Sequence, residues 1–106
     1  MDEIAVIRIW ITNKSDKKVT VDMSDSMIEF LSCAVENGCT GSTFAEDDER
    51  IIVYTMWSDE GALEQFRSSQ DYKIFEEAII TSYVSAGFEI PSDILFNSTA
   101  KILFRN

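Results

Sequence analysis

Apolar residues recur along this chain with two different periods, and the switches between them mark out its elements. Residues Ile4 to Thr12, IAVIRIWIT, are a β-prone run with Arg8 as its one charge, and they predict a first strand. After the polar turn Asn13 to Lys18, the positions Met23, Met27, Ile28, Leu31, Ala34 and Val35 fall at helical spacing and predict a helix from about Thr20 to Asn37. Ser26 and Glu29 fit a capping box and Gly38 a C-terminal stop, while the β-branched Val19-Thr20-Val21 is also suited to prolonging a β-hairpin. A weaker strand, Cys39 to Ala45, leads through the acidic run Glu46 to Glu49 into a third strand, Arg50 to Trp57. Ser58 or Asp59 caps a short helix that buries Ala62, Leu63 and Phe66, and Ser68 to Asp71 re-caps the chain. The next helix carries Tyr72, Phe75, Ile79 and Tyr83 on one face. Val84 to Ser98 is a long connection whose action as a lid is left open, and Thr99 to Arg105 forms the last strand.

Strand, helix, strand, strand, helices, strand is the order of a ferredoxin-like, split βαβ fold. The expectation is α+β, a single domain over 1–106, with a four-stranded antiparallel sheet and its helices on one face. Such a sheet should turn a polar face to water, and these strands have none. Ile7, Ile9 and Ile11 suit one side of the first strand while Val6 and Trp10 lie on the other; on the third strand Val53 and Trp57 oppose Ile52, Tyr54 and Met56. One layer of helices covers one face, so a second copy of the chain is expected over the other. Val6, Arg8, Trp10, Tyr54 and Met56 are the residues expected at that homodimer interface, with Arg8 in an ion pair to an acid of the second copy.

Composition narrows the function classes. Apolar residues make up 45% of the chain, enough for a packed core despite a net charge of −10. Nine basic residues scattered among nineteen acids argue against nucleic acid and anionic membranes as partners. A Met-Asp-Glu start without a basic leader, and the lack of an apolar stretch near ~18 residues, point to the cytoplasm. There Cys33 and Cys39 are expected as reduced packing thiols. The acidic run lacks the glycine spacing of an oxygen-ligand loop and reads as a solvated hairpin tip, so no metal is expected. The chain contains no histidine, no Gly-rich phosphate loop and no nucleophile with an imidazole base.

The stretch Arg50 to Ala78, with Trp57 ending a strand, Ser58-Asp59-Glu60 opening a short helix, Phe66 within it and a Ser69-x-x-Tyr72 joint, resembles the antibiotic biosynthesis monooxygenase superfamily. The turn Glu36-Asn37-Gly38-Cys39 is similar to that family's as well. The resemblance implies a dimeric α+β barrel and either of two chemistries. A haem-degrading member combines a Trp at the position of Trp57 with a ligating His and a strand Asn; here those positions hold Glu76 and, in the first strand, a residue near Ile7, so a His-ligated haem oxygenase is not expected. A cofactor-independent monooxygenase asks less of the protein. A bound phenol or quinol loses a proton, its anion reduces dioxygen, and the pocket supplies orientation and dryness.

On that reading Trp57 is a wall or donor, Thr55 a second polar contact on the same strand face, and Glu76 the candidate base. Phe30, Phe66, Tyr72 and Phe75 would line the site for a small aromatic ligand. Each also has a plainer role, Trp57 in the core, Thr55 as β-branched filler and Glu76 on a solvated helix face. The alternative function is a non-catalytic homodimer that binds a small ligand or a partner protein. A pocket decides between them: space near Trp57 filled by Leu31, Leu63 and Phe66 removes the basis for catalysis, and an open one with Thr55 and Glu76 converging on it supports catalysis.

Overall fold

A computed structural model describes residues 4–88 and 96–101 of the chain, the second stretch by its backbone. The elements are β1 (Ile4–Asn13), α1 (Val21–Glu36), β2 (Cys39–Glu46), β3 (Arg50–Trp57), α2 (Glu60–Arg67), α3 (Gln70–Ser85) and β4 (Phe96–Lys101). All pairings are antiparallel, in the order β2-β3-β1-β4. The last strand begins at Phe96, three residues before the expected Thr99, and the part expected beyond Lys101 lies outside the described residues. The same holds for positions 89–95 of the connection considered as a lid.

Local chemistry sets the element ends. Thr20 adopts an extended backbone (φ −86°, ψ 165°) and its hydroxyl accepts the Met23 N–H at 3.2 Å, so α1 starts one residue later. This overturns both the Ser26 capping box, which falls inside the helix, and the prolonged hairpin at Val19 to Val21. Gly38 stops the helix with φ 107°, and a methyl group there would sit 3.4 Å from the Ala62 Cβ, so turn and close approach both favour glycine. The acidic run is a hairpin tip: the Asp47 carboxylate accepts the Glu49 and Arg50 N–H groups at 2.8 and 2.7 Å and pairs with the Arg50 guanidinium at 2.9 Å. The backbone N–H of Glu49 and the Arg50 side chain hold that carboxyl below the ordinary aspartate value.

On β3 every second residue is buried: Ile51, Val53, Thr55 and Trp57 face the helices. Register extends that face across the sheet, since Val6 pairs with Trp57, Arg8 with Thr55 and Trp10 with Val53. Val6 and Arg8 are 1% and 2% exposed within one chain, so neither is available at the expected dimer interface. Trp10 lies on the same covered side, packed against the core. Of the expected interface set, Tyr54 and Met56 occupy the opposite face, together with Ile7, Ile9, Ile11 and Ile52. Those six are half-buried or exposed, Ile11 most of all at 37%. Beneath the helices, Met23, Met27, Phe30, Leu31 and Ala34 of α1, Leu63 and Phe66 of α2, and Ile79 and Tyr83 of α3 close one core over the sheet. No helix among the described residues is long and apolar enough to cross a membrane.

Candidate functional site

A cavity of about 310 Å³ opens between the covered sheet face and α1 and α3, the size range of small-molecule sites. Its floor is Trp10 and Thr12 of β1 with Val53 of β3; Met27 and Phe30 come from α1; Tyr72, Glu76, Ile79, Ile80 and Tyr83 come from α3. The α3 set recurs at steps of three and four, so one helical stripe forms a whole wall. Aromatic rings surround the space and hold one another edge to face: Phe30 lies 6.4 Å from Trp10 and 5.8 Å from Tyr72, centroid to centroid.

Of the residues expected at the site, Phe30, Tyr72 and Glu76 meet at this cavity. Trp57, Thr55, Phe66 and Phe75 are not among its walls. The space beside Trp57 is filled: its ring stacks on Phe66 at 5.4 Å, and Leu31 and Leu63 belong to the same buried cluster. Its indole N–H donates to the Thr55 hydroxyl at 3.1 Å, so that donor is spent, and both residues lie buried below the helices away from the cavity wall. Phe75 is half-buried against the core. The opening therefore lies farther along the sheet than expected, at Val53 and Trp10. Trp10 is the cavity residue that sequence reasoning placed elsewhere. The signal that finds it is register: once Trp57 and Val53 are known to face the helices, their partners Val6 and Trp10 must as well.

The polar groups at the cavity differ in kind. Glu76 is solvent-exposed on α3, so it stands at the mouth and not in a dry recess. Burial, then the neighbouring Glu76 carboxylate, push the Tyr72 hydroxyl above the ordinary tyrosine pKa, and Arg67 opposes them. Burial alone pushes Tyr83 up to about 12, so at neutral pH both are phenol donors in the wall. Beyond the cavity floor, Arg8 places its guanidinium carbon 5.4 Å from the centre of the Trp10 ring. Burial, and then the charge of Arg67, lower the Arg8 pKa below its ordinary value, although a guanidinium of this kind stays protonated at neutral pH. Among the described residues no group of three His, Cys, Asp or Glu side chains is placed to hold a metal ion.

No protein-family model and no curated protein matches this chain. Solved structures do. SnoaB, a cofactor-independent oxygenase from Streptomyces nogalater, superposes with a TM-score of 0.60 at 10% identity, over 100% of this chain and 96% of its own. A protein from Nitrosomonas europaea assigned to the antibiotic biosynthesis monooxygenases gives 0.63 at 11% identity, over 98% and 94%. One from Caulobacter crescentus with the same assignment gives 0.57 at 9%, over 97% and 90%. At such identities the likeness concerns architecture: the chain shares the α+β fold of these structures.

Proposed function

We propose that this protein is a cofactor-independent monooxygenase that acts on a small, electron-rich aromatic substrate of the phenol or quinol type. The observation that carries the reading is the aromatic cavity itself, of about 310 Å³, on a fold shared with a cofactor-independent oxygenase. The substrate ring packs among Trp10, Phe30 and Tyr72. Its hydroxyl releases a proton toward the Glu76 carboxylate at the mouth, from which water carries it away. The resulting anion passes electrons to dioxygen; for an anthrone-type ring methylene, one O₂ yields the ring carbonyl and one water, and substrate carbon supplies all four electrons. The walls contribute orientation and the exclusion of water.

The protein acts as a homodimer in this proposal. Ile7, Ile9, Ile11, Ile52, Tyr54 and Met56 form an apolar sheet face with no helix over it among the described residues, and a two-fold copy of the same face is its natural cover. A standard interface removes ~800 Å² per partner from water, which is within reach of such a face.

The filled space beside Trp57 removes the catalytic pocket expected there and counts for the non-catalytic alternative, a ligand-binding dimer; the catalytic reading rests on the separate cavity at Trp10. The Trp57 N–H is spent on Thr55 and neither residue lines the cavity, which leaves an exposed carboxylate as the base. Oxygen uptake with a panel of anthrone- and quinol-type compounds separates the two readings. Catalysis predicts uptake above the protein-free rate that disappears in Ile80→Trp, where a larger ring fills the cavity, and persists in Trp57→Phe. A panel that gives no protein-dependent uptake leaves the binding module.

A further inference from the structure

Among the described residues, Arg8 carries the buried side-chain polar atom that its own surroundings leave unanswered. It is 2% exposed, its Nε has no hydrogen-bond partner, and no carboxylate among the described residues stands within ion-pair distance of it. Buried charges in proteins are ordinarily paired, because taking an ion out of water without a counter-charge is unfavourable. What Arg8 has is the face of Trp10, and the more distant fields of Glu64 and Glu60 set against the repulsion of Arg67. Glu64 already holds an ion pair with Arg67 at 3.2 Å.

Its position gives this orphan charge a meaning. Arg8, Trp10 and Thr12 follow one another along the covered face of β1, and the latter two are cavity floor. Trp10 is thus shared, touching the cavity and carrying the guanidinium. A buried positive charge behind Trp10, with an exposed carboxylate at the cavity mouth, makes a field that points one way.

We infer that the cavity takes an aromatic acid, whose carboxylate passes the edge of Trp10 to meet the Arg8 guanidinium while the ring fills the space among Phe30, Tyr72 and Tyr83. A planar guanidinium with a free Nε–H suits a carboxylate, which accepts two parallel N–H bonds. The inference rests on the cavity being the ligand site, as the proposed function has it, and adds the charge of the ligand and the residue that selects it. The far end of the ligand then faces Glu76, so a neutral or weakly acidic hydroxyl is the group tolerated there.

The test is titration calorimetry at pH 7 with two probes of the same shape, 2-naphthoate and 2-naphthamide. The wild-type protein should bind the acid at least tenfold more tightly than the amide, and Arg8→Gln should reduce that ratio to below twofold, with circular dichroism confirming the fold. If Arg8→Gln does not fold, Arg8→Lys keeps a charge but not the fork, and the ratio should fall without vanishing. Equal affinity of the wild type for both probes, a ratio that survives in Arg8→Gln or is unchanged in Arg8→Lys, or failure of both probes to bind at millimolar concentration would each overturn the inference. Oxygen uptake, measured in parallel, keeps the two readings apart. Uptake without a preference for the acid removes the anion recess alone, and a preference without uptake removes the oxygenase.

Discussion

Replacing Thr55 with Val asks how much the buried pair beneath the helices holds. Thr55 and Trp57 are 1% and 2% exposed, and the indole N–H donates to the threonine hydroxyl at 3.1 Å. Valine keeps the shape and removes the acceptor, so a buried donor is left without a partner, at ~1–3 kcal/mol. At this chain length ~1 kcal/mol corresponds to roughly 4 °C in Tm, and the variant should therefore melt about 4–12 °C lower. The assay is urea unfolding followed by circular dichroism at fixed protein concentration, in wild type, Thr55→Val, Trp57→Phe and the double variant. In the Trp57→Phe background there is no N–H to orphan, so the same change should be nearly neutral, giving a coupling of about 1 kcal/mol or more. An equal effect of Thr55→Val in both backgrounds would refute the account. Ligand binding should be the same in all four proteins, because neither residue lines the cavity.

Two further outcomes follow from burial and from the uncovered sheet face. Tyr83 has its pKa raised by burial from 10.0 to about 12; since the unfolded chain ionises first, stability is full below pH 10 and declines as pH rises toward 12, by about 2–3 kcal/mol in total, and unfolding curves for Tyr83→Phe should show that alkaline decline removed. Tyr54→Asp places a charge on the apolar sheet face opposite the helices; light scattering at micromolar concentration should show a dimer for wild type and a monomer for the variant, and a monomeric wild type would end the homodimer proposal.

The strands and helices were legible because β1 and β3 are β-prone apolar runs bounded by polar turns and the apolar positions of α1 and α3 fall at helical spacing. Face assignment on β1 was not. In IAVIRIWIT both alternating sets are apolar except for Arg8, so period two cannot say which set is covered, and a charge reads as outward-facing by default. Only the pairing of Val6 with Trp57 settles it, and pairing is a tertiary fact. That error moves Trp10 and Arg8 from the cavity side to the expected interface, while Phe30, Tyr72 and Glu76, read from helical spacing, do meet at one cavity. The start of α1 falls where the helical spacing puts it, at about Thr20, and what misleads is local: Thr20 sits in a β-branched trio that suggests a strand, yet its extended backbone is what a capping residue requires.

Where α2 gives way to α3, the Ser69 hydroxyl donates to the Phe66 carbonyl at 2.6 Å and accepts the Tyr72 N–H at 3.2 Å. One oxygen thereby rivets the end of one helix to the start of the next and fixes the rings of Phe66 and Tyr72 at 5.3 Å and 88°. The corner of the chamber nearest the core is rigid for that reason. Room for a bulkier guest has to come from the other end of α3, where Ile80 and Tyr83 form the wall, so enlarging the chamber by design should begin there and leave the rivet alone.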